Sequence, residues 1–92
     1  MRFEYDPRKS ASKKDKHGLD FEAAQALWQD AGRIEIDARV AGERRVVTIG
    51  RIGGKLWAAI FTLRGDNIRL ISVRRARDKE TEWYDGNQGN RA

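Results

Sequence analysis

Cysteine is absent from the 92 residues, so disulfides and thiolate metal ligands are excluded together. A single histidine excludes a His-rich zinc site, and neither a metal nor another cofactor is expected. With one proline, the chain is punctuated mainly by its nine glycines. Long apolar runs are missing too. The longest stretch without a charged residue lies between Lys55 and Arg64, far below the roughly 18 residues of a spanning helix, and no apolar signal core opens the chain. The expectation is a cytoplasmic protein with no membrane segment, and at this length it has room for one domain. That domain is placed at residues 1–85, with 86–92 as a flexible polar tail.

What the sequence has in excess is charge. Charged residues make up 36% of the chain, against about 25% in an average domain. Nineteen Lys and Arg against 14 Asp and Glu leave +5 and a pI near 10.0. The excess is local: residues 38–77 hold ten bases and only two acids, Glu43 and Asp66. Ile, Val, Leu, Trp and Phe interrupt those bases throughout, so the segment reads as a folded basic surface suited to a polyanion.

Element signals follow in order. Phe3-Glu4-Tyr5 alternates as a short strand. Asp6-Pro7 reads as a cap plus first helical residue, and Gly18 ends that helix. Asp20 caps a second helix with Phe21, Ala24, Leu27 and Trp28 on one face, ending at Gly32. From residue 33 the period becomes two, with turns at Ala41-Gly42, Gly53-Gly54 and Gly65-Asp66, which predicts a four-stranded antiparallel meander. Gly50 to Lys55 has the wrong glycine spacing for a phosphate-binding loop and reads as one of these turns. A short helix over 78–85 follows. The predicted class is α+β, with two N-terminal helices on the sheet and a C-terminal helix at its other side. With two-residue loops, Ile34, Ile36, Ala38, Val47, Ile49, Ala58, Ile60, Ile71 and Val73 share the face expected under the N-terminal helices. Val46, Trp57, Phe61, Leu63 and Leu70 share the other with Arg44, Ser72 and Arg74, an expected interaction face.

In this order the chain resembles the BrnT family, toxins of bacterial type II toxin–antitoxin pairs with a RelE-like fold. The resemblance rests on Phe3-Glu4-Tyr5-Asp6-Pro7 with Lys9, on Lys16-His17-Gly18 followed by Phe21 and Ala24, and on Leu70 to Ala76 with Glu80 and Tyr84. Lys13 stands where the family usually has Asn, and Trp28 where it has Phe. The resemblance implies a ribosome-independent endoribonuclease that arrests growth. It also implies a ribbon-helix-helix, BrnA-like antitoxin, the complex binding operator DNA through the antitoxin.

Metal-free RNA cleavage needs a proton acceptor for the 2′-hydroxyl, positive charge at the phosphorus and an acid for the 5′-oxygen. It leaves a 2′,3′-cyclic phosphate and a 5′-hydroxyl. His17 is the one side chain that titrates near neutrality, with Lys16 beside it; a helix-capping role for His17 is equally open. Arg74 offers a bidentate phosphate ligand. The resemblance adds Arg45, which alternation puts on the opposite face from Arg74 unless a bulge intervenes. Lys16, His17, Arg45 and Arg74 are therefore the catalytic candidates. Lys9 and Lys13, which share a helical face with Lys16, join Arg64, Arg69, Arg75 and Tyr84 as candidate RNA contacts; the lysines also fit a merely solvated face. Arg44, Val46, Trp57, Phe61, Leu63 and Leu70 are the expected antitoxin interface, Trp57 being open to base stacking as well. The free toxin is expected to be a monomer, inhibited by an acidic segment lying over the RNA site. The alternative is a non-catalytic nucleic-acid-binding module.

Overall fold

Helices start here where a side-chain oxygen meets an unpaired backbone N–H. The computed structural model describes residues 2–40 and 42–89, with β1 at Phe3–Glu4 and α1 at Pro7–His17. Asp6 caps α1 by accepting from the Arg8 N–H at 2.9 Å, and Gly18 closes it at φ 89°, where a side chain is disfavoured. The only buried residue of α1 is Ser10, whose hydroxyl accepts from the Phe21 N–H at 2.9 Å. Asp20 caps α2, Phe21–Ala24, through the Ala23 N–H, and a 3₁₀ turn continues over Gln25–Gln29. The helix stops short of Gly32 because Asp30 turns extended and accepts from the Gly32 N–H at 2.8 Å, an Asx turn that competes with helix.

Strands β2 (Ile34–Val40), β3 (Glu43–Ile52), β4 (Lys55–Arg64) and β5 (Asn67–Arg75) form the expected antiparallel meander. All three loops have two residues, since Val40 pairs with Glu43, Ile52 with Lys55 and Arg64 with Asn67. Gly53 and Gly54 both have positive φ, as a hairpin turn matched to strand twist requires. Ala41 of the first turn lies outside the described residues. β1 adds a fifth strand, parallel to β5, with Phe3 opposite Ile68. The sheet is thus mixed and five-stranded rather than four-stranded and antiparallel. Two residues carry too little alternation to announce a pairing with the far end of the chain. α3 spans Asp78–Gly89, so residues 86–89, expected to begin the tail, are helical; 90–92 lie outside the described residues. Among the described residues no helix is long and apolar enough to cross a membrane.

The two faces of the sheet are exchanged relative to expectation. Under α1, α2 and the 3₁₀ turn lie Val46, Trp57, Ala59, Phe61, Ile68, Leu70 and Val73, packed with Phe21, Ala24 and Leu27. Edge-on aromatic contacts bind this layer: Phe3 to Trp28 at 4.9 Å and Tyr5 to Phe21 at 5.5 Å. The opposite face carries Ile34, Ile36, Val47, Ile49 and Ala58, and α3 covers it through Tyr84. Both faces are apolar, so alternation alone could not say which one the N-terminal helices take. The bulky aromatic face fills the space between sheet and helices; the flatter β-branched face accepts one helix.

A β-bulge supplies the second correction. Phe61 pairs with Leu70, but Ile60 pairs with Ser72, so one residue of β5 is extra. Beyond it every side chain of β5 changes face. Val73 moves into the aromatic core opposite Ala59, and Arg74 moves to the α3 face opposite Ala58.

Candidate functional site

The bulge brings Arg74 and Arg45 to the same face, since Arg74 follows the row of Ile49 and Ala58 and Arg45 lies two alternate positions along β3 from Ile49. They are not neighbours. Four residues of strand and two strand spacings separate them by about 16 Å. Arg45 sits instead beside Glu43 at 3.5 Å, with its Nε buried and, among the described residues, without a partner.

Arg74 meets a different set. Its Nη1 and Nη2 donate to Glu80 Oε1 and Oε2 at 2.7 and 2.9 Å, and Glu80 Oε1 also accepts from the Arg77 N–H at 2.8 Å, capping α3. Burial pushes the Glu80 carboxyl up, but these bonds and the Arg74 and Arg77 charges outweigh it and hold it below the usual range. α1 packs along β5, and the Arg74 charge is among those that reach His17 at its last turn. His17 is half-buried at the last turn of α1, and its pKa is pushed below 6.5 by desolvation first, then by the charges of Lys13, Lys16 and Arg74. A neutral imidazole therefore stands at neutral pH within the field of three cations. Lys9 and Lys16 are exposed and Lys13 half-buried on the same helix. α1 buries almost nothing of its own, so it presents these bases to solvent.

The remaining candidates disperse. Arg69 reaches Glu4 at 3.9 Å, Arg64 is exposed at the β4 turn, and Arg75 stacks 5.4 Å above the Trp57 ring while its Nε donates to the Leu56 carbonyl. Tyr84, expected to touch RNA, is buried: its hydroxyl donates to Asp30 Oδ2 at 2.7 Å. Burial, then the Asp30 hydrogen bond and charge, push the Tyr84 pKa up. The expected interface is likewise rearranged. Val46, Trp57, Phe61 and Leu70 are buried under the chain's own helices, because the aromatic face is the core. Trp57 is accordingly closed to base stacking. Leu63 stays 53% exposed, and with Trp28, Val46, Phe61 and Ile68 it lines a cleft of about 400 Å³ whose walls also include Arg33, Glu35, Asp37 and Arg44. Arg44 is held by Asp37 at 3.1 Å, and Arg33 Nε is buried and, among the described residues, without a partner. This cleft opens on the face opposite Arg74.

Two residues that the sequence reading did not assign to the site hold it together. Asp30 accepts from Tyr84, from the Arg51 N–H at 2.9 Å and from the Gly32 N–H, tying α3 to β3 and to the turn before β2. The Asp-Ala-Gly turn was readable; its reach to Tyr84 was not. Glu80 had a local signal, a carboxylate three residues after the cap position, but not its grip on Arg74. Among the described residues no group of three or more His, Asp or Glu is arranged to hold a metal ion.

No curated protein matches the chain at a significant level. Residues 5–80 match the family described as "Ribonuclease toxin, BrnT, of type II toxin-antitoxin system". That span contains α1 with His17, the whole meander, Arg74 and Glu80, and membership carries an RNA substrate and an antitoxin partner with it. With the match covering most of its length, the chain belongs to the BrnT family of ribonuclease toxins of type II toxin–antitoxin systems.

Proposed function

We propose that the chain cleaves RNA without a metal at the corner formed by α1 and the end of β5. The observation that carries this reading is the family match over residues 5–80, which includes His17 at the end of α1 and Arg74 at the end of β5. His17 takes the proton of a 2′-hydroxyl; the 2′-oxygen attacks phosphorus as the bond to the 5′-oxygen breaks. Arg74 stabilises the charge that gathers on the phosphate oxygens, and Lys16 donates the proton to the departing 5′-oxygen. The products are a 2′,3′-cyclic phosphate and a 5′-hydroxyl. Arg45, about 16 Å from Arg74 by strand geometry, contacts the strand at another nucleotide. Lys9, Lys13, Arg64 and Arg69 add phosphate contacts.

The antitoxin, a BrnA-like ribbon-helix-helix protein that carries the complex to operator DNA, places an apolar anchor in the cleft of Leu63, Phe61 and Val46. Its carboxylates engage Arg44 and Arg33. The test of the activity is incubation of purified, antitoxin-free protein with end-labelled RNA in EDTA. Cleavage with 5′-hydroxyl ends supports the reading; salt-sensitive binding with intact RNA would make the chain a binding module instead.

A further inference from the structure

Arg74 has five N–H donors, and three are committed within the chain. Two grip Glu80, and Nη1 also donates to the Arg75 carbonyl at 3.3 Å. The donors left over are Nε–H and the second Nη2–H, which lie parallel along one side of the guanidinium. That side is the edge that bridges two oxygens of a phosphate. Glu80 is itself immobilised by the Arg77 N–H, and the side chains of Arg74 and Glu80 are only 19% and 11% exposed. The other ion pairs among the described residues are longer and more open to solvent. A desolvated ion pair contributes little to stability relative to an apolar pair of the same shape, so this one calls for another account.

We propose that Glu80 is a positioning residue, which holds the end of the Arg74 guanidinium so that its free side edge stays turned outward as a phosphate clamp. Its effect on cleavage rests on the ribonuclease reading above; its effect on Arg74 does not.

Because His17 is the one histidine, its imidazole resonances titrate without overlap. Arg74→Ala removes a positive charge and raises the His17 pKa. Glu80→Gln keeps the side chain's volume but sets an amide N–H₂ against the guanidinium, which leaves its post. The His17 pKa then rises, by less than in Arg74→Ala because the Glu80 charge is lost as the guanidinium departs. Cleavage falls by the same factor, more than tenfold, in Glu80→Gln, Arg74→Ala and the double variant. Gln88→Ala, which loosens the far end of α3 by losing the bond to the Gly32 carbonyl, leaves the His17 titration in place. A His17 pKa that stays fixed in Glu80→Asp, which keeps the negative charge and changes only its reach, overturns the proposal, because Arg74 has then kept its place without the Glu80 grip. So do losses of rate that multiply in the double variant. If the titration moves as stated while none of the variants cleaves more slowly, positioning stands and the ribonuclease assignment of Arg74 fails. Should Glu80→Gln unfold, Glu80→Asp supplies the same readout, a shorter carboxylate that draws Arg74 away and raises the pKa in the same direction.

Discussion

Replacing Asp30 by alanine tests whether a single carboxylate fastens the C-terminal helix. Asp30 accepts three hydrogen bonds, from the Tyr84 hydroxyl, the Arg51 N–H and the Gly32 N–H, at 2.7 to 2.9 Å. Each bond to a charged group contributes about 1.5–3 kcal/mol when sheltered, and water reaches this half-buried site, so the combined loss is about 2–4 kcal/mol. Against a total of roughly 5–15 kcal/mol for a small domain that is a large share, and it lowers Tm by roughly 10–30 °C. The loss should depend on pH. Burial pushes the Asp30 carboxyl up, but the Tyr84, Arg51 and Gly32 donors and the Arg51 charge outweigh it, so the folded pKa lies below 3.8. A carboxyl depressed in this way stabilises fully above its unfolded value and loses that contribution as pH falls through the folded one. Urea titrations followed by circular dichroism at pH 7 and pH 3 measure both effects. Asp30→Ala should cost its 2–4 kcal/mol at pH 7 and less at pH 3, with α3 amides exchanging faster than those of β4. A cost below about 1 kcal/mol at pH 7 would refute the reasoning, as would an equal cost at both pH values.

Three further outcomes are expected. His17→Ala slows cleavage by about 10²-fold, and the pH–rate profile loses its acid limb, which in the parent chain lies below pH 6.5 because desolvation and neighbouring cations depress the imidazole pKa. Leu63→Asp, at an exposed wall of the cleft, leaves cleavage intact but weakens antitoxin binding by more than tenfold in calorimetry; unchanged affinity would move the antitoxin elsewhere. Phe21→Ala empties a fully buried site between α2 and the sheet and costs about 3–5 kcal/mol in denaturant melts, a large share of the stability of so small a domain.

The family was legible because its signals are local. Asp6-Pro7, Gly18 and Asp20 each fix a helix end by a backbone requirement that no distant contact alters. The paired turns set three hairpin registers for the same reason, as the match at Ile49 with Ala58 shows. His17 at the end of α1 beside Lys16 was readable too. What only the tertiary structure decided is every question that joins distant parts of the chain. Two apolar faces of one sheet look alike to a period of two, so Val46, Trp57, Phe61 and Leu70 could be placed together but not assigned to the core. The bulge at Ile60 and Phe61 leaves no mark in composition, yet it turns Val73 inward and sends Arg74 to Glu80. Periodicity specifies which side chains stand together on a strand; which surface covers them, and where one extra residue slips the register, is set by the packing of helices whose sequences carry no record of their partner.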